Sequence, residues 1–282
     1  MPVFDTKKEL KSFLQKERSK NHTVGLVPTM GALHNGHLSL VKAASKQSDT
    51  IVVSIFVNPT QFDKKDDLAK YPRNLAQDIQ LLKTVNPEIV VFTPSVEEIY
   101  GDNLISESYG FDGLDAVMEG KFRSGHFDGV GTIVELFLKT VAPDKAYFGE
   151  KDFQQLQIIR KMVELKQLST QIIGCPIERE PHGLAMSSRN ERLSKATRME
   201  AGFIYSTLQA AKSKFGTESA KDIKDWVTVQ FAQNELLELE YFEISEETTL
   251  APIQEKQANK KYRAFIAVYA EDVRLIDNLR LN

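Results

Sequence analysis

A chain of 282 residues, 41% hydrophobic and 27% charged, can bury one large core or two ordinary ones. Its 36 basic residues stand against 39 acidic ones, a net charge of −3, so no domain-wide positive field points to nucleic acid or an anionic membrane surface. The single cysteine, Cys175, excludes an intramolecular disulfide framework and a cysteine-rich zinc site, and between Gly174 and Pro176 it reads as core packing.

The opening "MPVFDTKKELKSFLQKERSK" reads as a charged amphipathic helix without the apolar stretch of a secretory signal. No apolar run approaches the ~20 residues of a membrane span, so a cytoplasmic setting is expected. From residue 23 to about 175, short apolar runs alternate with helical patterns. "TVGLVPT" and "TIVVSIFVN" are β-branched runs suited to strands buried on both faces, and "EIVVFTP", "KAYFG" and "STQIIGCP" continue the series. Between them lie "GHLSLVKAASKQS", "NLAQDIQLLKTV", "GVGTIVELFLKTV" and "FQQLQIIRKMVELK", the last with Leu156, Ile159 and Val163 on one helical face. This alternation predicts an α/β domain with a doubly wound parallel sheet over residues 1–175. Beyond it, Ile204, Leu208, Ala211 and Phe215 mark a core-facing helix, and "AKDIKDWVTVQFAQN" a second. The extended runs "ELEYFEIS", "YRAFIAVYA" and "VRLIDNLRL" follow, predicting a smaller α+β domain with an antiparallel sheet over residues 176–282.

The stretch "VPTMGALHNGHLSLV" sets two of the five histidines, His34 and His37, where the first buried run gives way to a helix starting near Asn35 or Gly36. In an open α/β sheet, ligands gather beyond the carboxyl ends of the strands. Gly31 and Gly36 permit close backbone approach, the helix terminus attracts an anion, and the two histidines add donors beside it. A metal would want a third ligand, and residues 27–41 contain no acid. Phosphate binding is the first expectation; acid–base work, a metal and a structural role stay open beside it. No Walker A sequence competes, since neither Lys121 nor Lys151 has both the preceding glycine and the following Ser or Thr.

Three further stretches concentrate polar groups at strand ends. In "FVNPTQF", Asn58 and Gln61 follow a buried strand, although Asn58 would also suit the turn at Pro59. In "YFGEKDFQQL", Glu150, Lys151, Asp152 and Gln155 crowd a strand-to-helix junction where Asp152 is alternatively a plain N-cap. In "GLAMSSRN", Ser187, Ser188 and Arg189 suit phosphate oxygens, with an N-cap serine in a loop as the blander reading.

Together these stretches resemble the pantothenate synthetase family, ligases that join pantoate to β-alanine with ATP. The resemblance runs almost end to end and includes "YPRNLAQD", "RSGHFDGVGTIV", "PDKAYFGEKDFQQLQIIRKMV" and "RLIDNLRL". It implies a Rossmann-like first domain, a smaller second domain that lids the site, and a homodimer. By the same resemblance, ATP would be lined by Met30, Gly31, Ala32, Leu33, His34, Asn35, Gly36 and His37. Gly149, Glu150, Lys151, Asp152, Glu178, Met186, Ser187, Ser188 and Arg189 would complete its site. His34, His37, Lys151 and Arg189 would act on the phosphates, with Mg²⁺ carried mainly by ATP rather than by protein ligands. Gln61 and Gln155 would hold pantoate, Gln61 would also meet β-alanine, and Asn58 and Arg123 would lie near the substrates. Thr60, Asp63, Ser124, Leu136 and His182 depart from the family's usual residues, and none of them is expected to take part in the chemistry.

Overall fold

The computed structural model describes residues 1–62 and 65–282, with the side chains of residues 65–67 left aside. Its main sheet is wholly parallel: β1 (Val3–Phe4), β2 (Val24–Thr29), β3 (Thr50–Ile55), β4 (Val90–Phe92), β5 (Lys145–Gly149) and β6 (Gln171–Cys175) lie in the order β1-β4-β3-β2-β5-β6. Residues of β2, β3 and β4 are buried on both faces, which is why their sequences run apolar without alternation. Val24, Leu26, Val52 and Phe92 join the core on one face, and Val27, Val53, Val91 and Tyr147 the core on the other. Helices Asn35–Ser45, Leu75–Val85, His126–Val141 and Phe153–Leu165 cover the sheet at the expected places.

Five of the six strands are those the sequence predicts. The sixth, β1, precedes the amphipathic helix: Thr6 caps helix Lys7–Ser19, and Val3 and Phe4 pair with Val91 and Phe92 at the sheet edge. Two residues are too few to show a period of two, so the strand is invisible to patterning.

Beyond Cys175, β7 (Leu237–Glu246), β8 (Tyr262–Ala270) and β9 (Val273–Arg280) form an antiparallel sheet in that order, with helices Gly202–Phe215 and Ala220–Ala232 packed on it. Ile204, Leu208, Ala211 and Phe215 are buried there as their spacing predicts, beside Ile223, Phe242 and Ile266. Cys175 is 4% exposed in the first unit's core. The described departures from family pattern have ordinary structural surroundings, with one exception. Leu136 packs at the core edge, Ser124 is exposed, and His182 Nε2 donates to the Arg198 carbonyl at 2.8 Å. Asp63 lies outside the described residues. Thr60 is the exception, because its hydroxyl enters the network around Asn58.

Candidate active site

β2 lies between β3 and β5, so the winding direction of the sheet reverses at β2 and β5. A crevice opens at such a switch point, beyond the carboxyl ends of the strands. All four sequence clusters issue from adjacent ends: residues 30–37 after β2, Asn58–Gln61 after β3, Glu150–Asp152 after β5, and residues 176–189 after β6. They surround a cavity of about 260 Å³.

The histidines sit where β2 turns into helix Asn35–Ser45. His34 is the N-cap: its Nδ1 accepts the Gly36 N–H at 3.1 Å, and His37 Nδ1 accepts the His34 N–H at 3.3 Å. Both rings are thereby used as acceptors at Nδ1, so the proton of each neutral imidazole resides on Nε2. Burial, with Lys151 adding to it, lowers His34 to about 4. Burial, then His34 and Lys151, holds His37 well below 6.5. The rings stand 4.1 Å apart and offer N–H donors, not cations, at neutral pH. A helix N-terminus flanked by such donors suits a phosphate.

The loop before the helix is held from behind. Gly31 and Ala32 have φ of +78° and +49°, which aims successive N–H groups inward, and the buried Asp78 accepts from Ala32 N at 3.0 Å and Leu33 N at 2.7 Å. Burial raises the Asp78 carboxyl above its ordinary value in spite of those donors. Asp78→Asn leaves one N–H facing an amide nitrogen, and it is expected to raise the KM for ATP about tenfold with a modest fall in melting temperature. Steady-state kinetics checks this; an unchanged KM would leave Asp78 as mere loop scaffolding.

Lys151 occupies a 3₁₀ turn, and its Nζ is 3.4 Å from Asp152 Oδ1. The turn is gripped by the other sheet, where Asn278 Nδ2 donates to the Glu150 and Lys151 carbonyls at 2.9 and 2.8 Å. Ser188 donates to the Ala32 carbonyl at 3.0 Å, so the 187–189 segment is tied to the histidine loop. Ser187 caps the turn through the Arg189 N–H, and the Arg189 guanidinium lies 5.8 Å from the Tyr71 ring centre. On the opposite wall, Arg123 donates to His126 Nε2 at 3.1 Å, and His126 Nδ1 donates to the Gln61 carbonyl at 2.8 Å. Burial, then Arg123, lowers His126 to about 4, so it too is neutral.

The cavity wall includes Met30, His34, Gly36, His37, Asn58, Gln61 and Arg123, together with Gly149, Lys151, Asp152, Gln155, Glu178 and Met186–Arg189. The remaining expected residues turn elsewhere. Gly31, Ala32 and Leu33 face Asp78 or the core, Asn35 is exposed, and Glu150 approaches Arg263 at 3.4 Å. Asp152 makes no side-chain cap, so the plain N-cap reading does not describe it. Asp78, His126 and Asn278 escape the sequence reading. Asp78 had a signal, an acid four residues before Leu82 on a buried helix face.

A doubly wound sheet with a histidine-capped helix at its switch point and cationic and amide side chains around it defines a nucleotide-binding enzyme of the α/β class. The chain belongs to the pantoate–beta-alanine ligase family, whose model matches residues 2–280. It is 57% identical to pantothenate synthetase from Christiangramia forsetii and 52% identical to that of Flavobacterium psychrophilum, each over the full length of both chains. Among solved structures, pantothenate synthetase from Thermus thermophilus superposes with a TM-score of 0.90 at 37% identity, covering 100% of this chain and 99% of that one. The pantoate-beta-alanine ligase of Francisella tularensis, complexed with beta-gamma ATP and beta-alanine, gives 0.79 at 36% identity over 100% and 98%.

Proposed function

We propose that the crevice joins pantoate to β-alanine in two half-reactions, adenylation and aminolysis, with the residue roles set out below. The overall reaction is that of the family, an ATP-dependent ligation. A carboxylate does not yield an amide directly, because its oxygen is too poor a leaving group. Attack of the pantoate carboxylate on the α-phosphorus expels pyrophosphate and gives pantoyl-adenylate; the β-alanine amine then displaces AMP. In the first step charge shifts among phosphoryl oxygens, so catalysis is positioning and electrostatic stabilisation. His34 and His37 donate from Nε2, and Lys151 and Arg189 supply positive charge. Gln61 and Gln155 hold pantoate with neutral amides, which fix it without quenching its nucleophilicity, while Asn58 and Arg123 organise that wall.

The observation that carries this reading is the arrangement itself: the amides of Asn58, Gln61 and Gln155 line one cavity together with the phosphate-type donors His34, His37, Lys151 and Arg189. Mg²⁺ suits the site as a companion of ATP. The crevice sets carboxylates such as Asp152 and Glu178 beside N–H donors and cations, and among the described residues no group of three His, Cys, Asp or Glu could hold a metal ion. Bound to the phosphates, it would shield their charge. The reading extends to a first domain of residues 1–175 that binds ATP and pantoate, a lid of residues 176–282 and a homodimer, as the sequence resemblance implies, and to the cytoplasmic setting expected from the sequence. Among the described residues no helix is long and apolar enough to cross a membrane.

Pantoate labelled with ¹⁸O in its carboxylate tests the chemistry. A carboxylate oxygen becomes the bridge of the adenylate and leaves with phosphorus, so AMP should carry label and pyrophosphate none. An acyl-phosphate route would instead release ADP and labelled phosphate. ATP–pyrophosphate exchange should require pantoate but not β-alanine. Unlabelled AMP would overturn the assignment.

A further inference from the structure

The amides of Asn58 and Gln61 are held in one orientation by a chain of contacts that begins at a backbone carbonyl. Helix His126–Val141 approaches the 3₁₀ turn Pro59–Gln61 so closely that a Cβ on Gly129 would lie 2.5 Å from the Thr60 carbonyl oxygen. That approach brings the Gly129 carbonyl to 3.1 Å from the side-chain amide of Asn58, which is 1% exposed. A carbonyl only accepts, so the Asn58 atom facing it is the nitrogen. The Asn58 oxygen then faces the Tyr100 hydroxyl at 2.6 Å and the Thr60 hydroxyl at 3.2 Å, and these two hydroxyls lie 3.2 Å apart. The same Asn58 nitrogen is 3.2 Å from the end of Gln61, so the Gln61 atom turned toward it is its oxygen. Gln61 Nε2 is consequently the end turned along the cavity wall, 2.8 Å from the Met30 sulfur. A thioether is a weak acceptor, easily replaced by an anionic oxygen.

We propose that Tyr100 and Thr60 are positioning residues for the acyl substrate, anchoring the Asn58 oxygen so that Gln61 presents N–H donors, and not its carbonyl, to a carboxylate oxygen. The proposal rests on the reading of Gln61 as a pantoate-binding residue. It gives the site a polarity: an acyl substrate must offer an acceptor at this point. Tyr100 suits its role because burial, working against its contacts with Thr60 and Asn58, raises its hydroxyl above the ordinary value and keeps the proton in place. Thr60 supplies a second hydroxyl to the same Asn58 oxygen.

Variants of Gln61, Tyr100 and Thr60 test this in the full-length enzyme, read as KM for pantoate against KM for ATP. Gln61→Glu exchanges the donor for a charged acceptor in nearly the same shape. It should raise the pantoate KM about 10²-fold, the scale for a buried charged mismatch, and leave the ATP KM within about twofold. Tyr100→Phe should raise the pantoate KM about tenfold, as one lost hydrogen bond does, and Thr60→Val less, with Thr60→Ser restoring the parent value. In a Gln61→Ala background, Tyr100→Phe should add less than about twofold, since coupled residues are not additive. Melting temperatures confirm that each variant is folded. Tolerance of Gln61→Glu would overturn the polarity. A Tyr100→Phe effect that persists without Gln61, or that falls equally on ATP, would make Tyr100 merely structural. Should Gln61→Ala leave the pantoate KM untouched, the acyl site itself is misplaced, a failure distinct from the other two.

Discussion

His37→Ala is expected to lower kcat by about 10²-fold or more, the scale for losing one preorganised donor to developing charge. The ring does two jobs. Its Nδ1 accepts the His34 N–H, which fixes the N-cap, and on the proposed function its Nε2–H is the donor to the phosphates. Removing it therefore loosens His34 as well, and His34→Ala in the His37→Ala background should cost less than it does alone. Because burial keeps both rings neutral, no limb of the kcat profile between pH 6 and 8 should belong to them. Stability should show them instead. His34, His37 and His126 all have folded pKa values below the ordinary 6.5, so below that pH the unfolded chain binds more protons than the folded one. The stability they contribute is complete above about pH 6.5 and is lost as the pH falls toward about 4. Urea titrations at several pH values measure this. An enzyme equally stable at pH 7 and 5 would contradict the neutral pair.

How far the sequence discloses this site depends on whether a residue acts through its own pattern or through a distant partner. β2 and β3 are legible because burial on both faces leaves apolar runs rich in β-branched residues, β5 shows as the short apolar run Ala146–Phe148, and the loops after them inherit the position of a crevice. His34, Lys151 and Gln61 are therefore found from local spacing alone. Asn278 is not, since it sits in "RLIDNLRL", an ordinary strand pattern, and matters only because the fold sets β9 beside the Lys151 turn. His126 lies in "RSGHFDGVGTIV", a stretch that stands out only through the family resemblance, and its hydrogen bond to Gln61 spans 65 positions. The orientation of Gln61 is likewise written nowhere in its own neighbourhood. It follows from the Gly129 carbonyl and the Tyr100 hydroxyl, which arrive from two other elements.

Arg274→Ala should destabilise the protein by about 3–5 kcal/mol, because it strands a buried carboxylate. Glu119, 7% exposed, receives both Arg274 Nη atoms at 2.6 and 2.8 Å and the Tyr241 hydroxyl at 2.8 Å, and Arg274 also binds Glu240. This cluster joins the segment before helix His126–Val141 to β7 and β9, so it is a principal polar link between the two sheets. Lysine cannot replace the arginine, having no planar fork to meet two oxygens. Burial pushes the Glu119 carboxyl up, but Arg274 and Tyr241 outweigh it and hold the group below its ordinary 4.5. A carboxyl depressed on folding stabilises above its unfolded pKa and loses that contribution as the pH falls through the folded value. The parent enzyme should thus lose this contribution below pH 4.5, and the gap between it and Arg274→Ala should narrow there. Activity should suffer separately: Glu119 lies 4.0 Å from Arg123, and a carboxylate released from Arg274 would take up that guanidinium in competition with an anionic substrate. Glu119→Gln added to Arg274→Met removes both charges and should recover most of the stability. A double variant no more stable than Arg274→Ala would show that the packing of the arginine, and not the stranded charge, accounts for the loss.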